Sequence, residues 1–340
     1  MAEPRAAINT RKPATARRYA KRSVESFVDV YEFDDERLIE LIKEREIDIL
    51  VNLEAGDKIR GDVYLRRPAP LQVNHLSWPA TAAAPNCDYF IADSIVIPPE
   101  SRQWFAEKIV YLPDCYQSND SKREIADESI SRRGAGLPEE AFVFCCFSNN
   151  LKLNPDAFDA WSRILSATPG SVLWLVHYSA AAIGNLKREA QARGVDPSRL
   201  IFAKKIGNAE HLARHRLADL FLDSWPYGAH TTASDALWAG LPVLTRVGET
   251  FASRVGSSLL TAVGLPELIA PSREAYVAMA IDLARNPERL KALKEKLERN
   301  RLTAPLFDTE LYARRLEAAF EAMHARRLAN LPPDHIHVPA

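Results

Sequence analysis

The sequence predicts an α/β protein of two lobes with parallel sheets, because short apolar runs alternate with amphipathic stretches along most of its length. At 340 residues the chain exceeds what one hydrophobic core usually serves, so two cores are expected. In the first half, residues 47–51, 71–73, 89–92 and 109–112 read as strands. In the second half the strands fall at 142–147, 171–177, 199–204, 219–223 and 242–246, with helices at 155–167, 181–193, 209–217 and 231–239 between them. Such an alternation suits a doubly wound sheet, whose ligands lie beyond the carboxyl ends of the strands.

The halves divide at a polar loop over 116–140 that contains Gly134, Gly136 and Pro138. The expected organisation is a basic, loosely ordered terminus over 1–30, a first lobe over 31–135, a second over 136–305, and a C-terminal helix and tail over 306–340. From 272 the chain reads as helical, with Leu290, Leu293 and Leu297 on one face. Pro305 interrupts it before a last helix over 308–328, and the closing PPDHIHVPA is expected to be a loose tail.

Composition narrows the function. Apolar residues make up 47% and charged residues 26%, as in an ordinary globular protein, and the net charge of −1 gives no electrostatic case for nucleic-acid or membrane partners. No apolar run approaches the ~20 residues needed to span a bilayer. Cys87, Cys115, Cys145 and Cys146 show neither CxxC spacing nor a disulfide framework. Arg5, Arg11, Lys12, Arg17, Arg18, Lys21 and Arg22 face one acid, Glu3, but no apolar segment of a signal peptide follows. A reducing compartment, the cytoplasm, is the expectation.

The sharpest chemistry lies in Asp223-Ser224-Trp225-Pro226-Tyr227-Gly228-Ala229-His230-Thr231-Thr232-Ala233-Ser234-Asp235, where a strand ends, a turn follows and a helix opens. Helix starts expose unpaired N–H groups and a positive dipole end, which suit a phosphate. Thr231 and Thr232 add hydroxyl donors, His230 a charge or a hydrogen bond, and Asp235 a carboxylate for ribose hydroxyls. Plain helix capping by the threonines and dipole pairing by Asp235 fit the same residues. In Ser148-Asn149-Asn150-Leu151-Lys152-Leu153-Asn154-Pro155, Lys152 suits a diphosphate and Asn149 a phosphate oxygen, while Asn154-Pro155 is good helix-capping grammar. His211 and Arg214 lie on a short helix, placed to stack on a nucleobase or simply to face solvent. His211 and His215 are spaced like a metal pair but lack a third ligand, so no metal is expected. The junction over 248–254 reads as a capped helix start.

Together these stretches resemble the catalytic region of the O-linked N-acetylglucosamine transferase and SPINDLY family. The likeness is carried by Arg67-Pro68-Ala69-Pro70-Leu71-Gln72-Val73, Asp88-Tyr89-Phe90-Ile91-Ala92-Asp93, Ser171-Val172-Leu173-Trp174-Leu175, His230-Thr231-Thr232 with Asp235-Ala236-Leu237-Trp238-Ala239-Gly240, and Gly248-Glu249-Thr250 with Ala252-Ser253-Arg254-Val255. It implies a GT-B architecture: two Rossmann-like lobes with an interlobe cleft, the acceptor side over 31–135 and the nucleotide-sugar side over 136–305. It also implies inverting, metal-independent and cofactor-free transfer of a sugar, N-acetylglucosamine from its UDP donor, to Ser/Thr hydroxyls of a protein or peptide. By the same likeness Asn149, Lys152, His230, Thr231 and Thr232 touch the diphosphate, Asp235 the ribose, and His211 and Arg214 the base. Lys152, His230 and Asp48 are the expected catalytic residues, Asp48 by virtue of a place near the acceptor.

Departures from the family pattern are Asn149 for a Gln, Asn208 for a Lys, and Ala55-Gly56-Asp57 for Gly-Tyr-Thr. On this resemblance the family's opening strand and its histidine-bearing loop are expected to be missing from the sequence. Three further readings therefore stand beside the transferase: an inactive nucleotide-sugar-binding remnant, a GDP-fucose-dependent O-fucosyltransferase, and a UDP-sugar epimerase.

Overall fold

A computed structural model describes residues 5–8, 22, 24–53, 61–76, 78–83, 86–127 and 131–340. The chain forms two compact units, one of Met1–Phe90, Phe105–Lys108 and Met323–Asp334, the other of Ile91–Trp104, Ile109–Ala322 and His335–Ala340.

In the first unit, strands β1 (Arg5–Ile8) and β2 (Ser26–Asp29) pair in parallel, inside the stretch expected to be loosely ordered. The basic residues 11, 12, 17, 18 and 21 lie outside the described residues. Helix Asp35–Glu44 starts where the Asp34 carboxylate accepts from Arg37 N at 2.8 Å. Its apolar positions recur at helical spacing, so Leu38, Ile39, Leu41 and Ile42 all turn inward onto Val30, Val63 and Ala69. Strands β3 (Ile49–Asn52) and β4 (Leu71–Asn74) pair in parallel, Ile49 opposite Leu71. β4 in turn pairs with β5 (Tyr89–Asp93).

The loop leaving β4 is fastened by a buried acid. Glu107 accepts from Asn74 Nδ2 at 2.8 Å, Thr81 Oγ1 at 2.6 Å and Ala82 N at 2.8 Å. At the opposite edge Arg67 grips Asp88 with two bonds of 2.8 Å, and Asp88 also accepts from Gln72 N. The Ala55-Gly56-Asp57 departure lies outside the described residues.

β6 (Lys108–Leu112) is followed by the second sheet: β7 (Val143–Cys146), β8 (Val172–Val176), β9 (Leu200–Ala203), β10 (Leu220–Leu222), β11 (Val243–Arg246) and β12 (Ile269–Ala270). These six are parallel in the order β12-β11-β10-β7-β8-β9. β7 is central: the chain winds outward through β8 and β9, then returns to β7's other side to lay down β10. The strand order therefore reverses between β7 and β10, and a crevice opens off their carboxyl ends. The strands are apolar on both faces because helices cover both, as parallel sheets require. Helices Pro155–Ala167, Ala180–Ala192, Asn208–Arg214 and Thr231–Trp238 occupy the expected connections. Leu290, Leu293 and Leu297 are buried on helix Pro287–Asn300. Among the described residues no helix is long and apolar enough to cross a membrane, and the four cysteines are buried thiols.

The closing segment corrects an expectation. Instead of a loose tail it forms β13 (Ile336–His337), paired in parallel with β6 to complete the order β13-β6-β5-β4-β3. His335 Nδ1 accepts from Ile109 N at 2.9 Å, and the His337 ring stacks on Tyr111 at 4.7 Å. A two-residue strand holds here because its backbone pairing is reinforced by the His335 and His337 side chains and by the buried Val338. His335→Ala would leave the Ile109 N–H unpaired and should cost about 1–3 kcal/mol in urea unfolding. An unchanged midpoint would show that this contact does not hold the tail.

Candidate functional site

The crevice is bordered by the loops leaving β7 and β10. β10 delivers Asp223, which is 1% exposed. Its Oδ1 accepts from Ser224 N at 2.7 Å and Ala229 N at 2.6 Å, and its Oδ2 from Thr245 Oγ1 at 2.7 Å. Burial raises this carboxyl to about 6. Trp225 fills the turn: its indole donates to Asp156, and Arg246 lies 4.8 Å over its ring. Asn154 joins the two loops, capping helix Pro155–Ala167 through Ala157 N while donating to Trp225 O.

Lys152 and His230 come together at these two loops, both against Tyr227. Lys152 Nζ donates to Gly228 O at 2.7 Å and lies 4.3 Å from the centre of the Tyr227 ring. Tyr227 stacks on His230 at 4.9 Å, and His230 Nε2 meets Ala252 O at 3.1 Å. His230 occupies the N-cap of helix Thr231–Trp238 without capping it through its side chain. Thr231 is exposed, whereas Thr232 is half-buried with its hydroxyl 3.4 Å from that of Ser148. Asn149 is exposed, and its carbonyl accepts from Leu151 N at 3.0 Å. The structure thus brings Asn149, Lys152, His230, Thr231 and Thr232 to the two loops that border the switch point. Burial, with Lys152 beside it, lowers His230 to about 4, so near neutral pH the imidazole offers hydrogen bonds rather than charge.

Three other expected residues are engaged with the protein. Asp235 is paired with Arg123, which also reaches Ser234 Oγ at 3.3 Å, and Trp238 Nε1 donates to Arg123 O at 3.1 Å. Arg214 is 4% exposed, donates to Lys204 O at 2.7 Å and lies 4.7 Å over the Phe147 ring. His211 flanks the same ring at 5.4 Å. His211 and Arg214 therefore pack against the residue from which the Ser148–Lys152 turn departs. His215 Nδ1 meets His211 O at 2.8 Å, and no cluster of three His, Cys, Asp or Glu suited to a metal occurs among the described residues.

Asp48 is placed differently from its expectation. It is exposed and precedes β3, and its carbonyl accepts from Leu71 N at 3.1 Å. That is the amino edge of its sheet, whereas ligands of open α/β sheets lie at the carboxyl edge. The strand starts two residues later than its apolar run suggests, so an acid expected at a strand end stands before the strand.

Asp223, Tyr227 and Arg123 were given no role on sequence grounds. For Asp223 the signal was there: an acid closing the apolar Leu220–Leu222 strand, just before a Pro/Gly turn. The 248–254 junction is a capped start, Thr250 N donating to Ser253 Oγ at 3.0 Å, with Arg254 tied to Gly248 O at 2.8 Å.

Buried imidazoles set the acid response. Burial lowers His75, His211 and His230 to about 4 and His215 to about 3, against 6.5 for an open imidazole. Between pH 6.5 and 5 the unfolded chain takes up protons that the folded chain refuses, so stability is full above 6.5 and falls with acidification. Asp223, Asp93 and Asp235 are raised by burial and act in the opposite sense; Asp223, at about 6, does so within the same range and offsets part of the loss, which four histidines outweigh. Urea midpoints measured from pH 7 to 5 should fall, with a shallower slope in His215→Asn. A flat or rising profile would contradict neutral buried histidines.

Comparison with known proteins agrees with this architecture. Residues 7–128 and 124–316 match the glycosyl transferase family 41 profile. The chain is 36% identical over 329 residues to a probable UDP-N-acetylglucosamine–peptide N-acetylglucosaminyltransferase SEC of Arabidopsis thaliana, covering 95% of this chain and 34% of that protein. It is 32% identical over 309 residues to the SPINDLY protein of Oryza sativa subsp. japonica, which carries the same probable activity in its name, covering 88% and 32%. The chain therefore spans about a third of the length of the curated relatives it matches. A mutant of the Thermobaculum terrenum O-GlcNAc transferase superposes with a TM-score of 0.83 at 29% identity, over 95% of this chain and 61% of that one. Sucrose-phosphate synthase of Thermosynechococcus elongatus, at TM-score 0.60 and 16% identity over 88% and 81%, shares the fold alone. Two Rossmann-like parallel-sheet lobes of GT-B type, together with this match over most of the sequence, establish that the chain belongs to glycosyl transferase family 41.

Proposed function

We propose that this chain transfers a sugar from a nucleoside-diphosphate donor, N-acetylglucosamine from UDP, to Ser/Thr hydroxyls of a protein. The observation that carries the reading is Lys152 held on Gly228 O, in the turn that leads into helix Thr231–Trp238, at the switch point. Departure of a diphosphate places new negative charge on its bridging oxygen. Lys152 and the free N–H groups of the helix start oppose that charge in a partly dry crevice. Inversion follows if the acceptor oxygen attacks the anomeric carbon from the face opposite the diphosphate as the C–O bond to the diphosphate breaks and the hydroxyl proton passes to water. His230, neutral and with its one N–H given to Ala252 O, keeps Nδ1 as an acceptor for a sugar or acceptor hydroxyl. The Thr231 hydroxyl is open to solvent, and Asn149 has its amide nitrogen free to donate while its carbonyl caps the turn. His211 and Arg214 lie behind the loop and would shape the base pocket through Phe147. Asp235 can offer ribose its second oxygen while Arg123 holds the first. No metal or cofactor is needed in this scheme, and the names of the relatives support UDP-N-acetylglucosamine as donor.

UDP should raise the melting temperature in EDTA, with a gain near 2.7 kcal/mol at about a hundred times the dissociation constant. A shift seen only with magnesium or manganese would overturn the metal-free scheme, and a shift with GDP alone would favour the fucose donor. Lys152→Ala should weaken UDP binding about ten- to a hundredfold, the scale of one charge-assisted contact. Unchanged affinity in calorimetry would remove Lys152 from the site. Peptide labelled with N-acetylglucosamine would separate a transferase from a remnant that only binds.

A further inference from the structure

We propose that Asp223 is a positioning residue of the donor site: its buried carboxylate grips the Gly228–Ala229 peptide from behind and thereby sets Lys152 and His230. The inference rests on the proposed donor site. That one peptide is held on both sides. Its N–H, from Ala229, donates to Asp223 Oδ1 at 2.6 Å, and its carbonyl, from Gly228, accepts Lys152 Nζ at 2.7 Å. The next residue is His230, and Ala252 O receives both Gly228 N, at 2.9 Å, and the His230 ring. A movement of this peptide therefore moves the ammonium and the imidazole together.

The carboxylate lies in a niche that only glycines leave open. A Cβ on Gly256 would come within 2.8 Å of Asp223 Oδ2 and of Thr245 Oγ1, and one on Gly228 within 3.2 Å of Asp223 Oδ2 and Ala252 O. Tyr276 OH donates to Asp223 O at 2.9 Å, pinning the backbone as well. The titratable groups around it are Lys152, the buried Cys146 and Tyr276, with His230 beyond Lys152. Burial lowers Lys152, while the charge of Asp223 works to keep it protonated. Asp223 thus fixes the position of the ammonium and supports its charge.

Two substitutions separate these effects. Asp223→Asn keeps the shape: its amide oxygen can still accept from Ser224 and Ala229, and its NH2 can donate to Thr245. Only the negative charge goes. UDP affinity of Asp223→Asn should fall roughly tenfold near neutral pH, and Lys152, followed by NMR of 13C-labelled lysine, should lose its proton at lower pH. Gly228→Ala should shift the peptide and weaken UDP binding with the Asp223 charge still in place. Wild-type affinity in both variants, or an unmoved Lys152 titration in Asp223→Asn, would overturn the inference. The lysine titration needs no nucleotide. If the wild type binds neither UDP nor GDP, the proposed function fails while the titration still decides the role of Asp223.

Discussion

A buried negative charge at the end of β10 governs the loop from which the helix start is built. Asp223 is only 1% exposed, so the protein itself must satisfy its charge, and two backbone N–H groups and the Thr245 hydroxyl do so within 2.7 Å. Two of those donors belong to the turn that leads into helix Thr231–Trp238, so satisfying the carboxylate also shapes the turn. Thr245 comes from the neighbouring strand and ties β10 to β11. The glycines at 228 and 256 follow from this arrangement, because a side chain at either would press on the carboxylate or its partners.

Around this point the charges are arranged in pairs that a bare crevice would not tolerate. Lys152 is half-buried and loses solvation, yet it has a carbonyl, an aromatic face and an acid behind that peptide. Asp235, 8% exposed, is matched by Arg123 from the loop after β6, so that loop is fastened to the helix that opens the site. Removing one partner of such a pair leaves an uncompensated buried charge, which costs far more than the pair contributes. The same logic keeps the histidines neutral: His211 and His215 pack edge to face at 4.9 Å with Arg214 beside them, leaving no room for further positive charge.

Much of the second lobe was legible in the sequence because its elements are long and periodic. Helix Pro155–Ala167 has its boundaries written in Asn154 and Pro155, and the apolar strands β7 to β11 read plainly between polar turns. The loops bearing Asn149, Lys152, His230, Thr231 and Thr232 followed from strand ends alone. What stayed hidden depends on side chains meeting across long separations. β13 is two residues long and docks through His335 and His337, which no periodicity marks. Arg214 on a short helix reads equally as a surface cation, and only the fold turns it onto Phe147. The placement of Asp48 failed at a boundary of two residues, where an apolar run names a strand without showing at which residue it starts.

The electrostatic balance of the helix start shows why an acid belongs behind a site for an anion. In the proposed donor site, with His230 neutral, the attraction for a diphosphate would come from the helix dipole and Lys152. A dipole end amounts to about half a charge, so the ammonium carries the larger share. Its protonation is opposed by its own burial, which the crevice needs in order to strengthen every contact with the leaving group. A buried carboxylate one peptide away resolves that conflict: it is too enclosed to repel the ligand by direct contact, yet near enough to hold the proton on Lys152. The requirement for a dry crevice and the requirement for a charged lysine are thus met by one residue that does not itself reach the crevice.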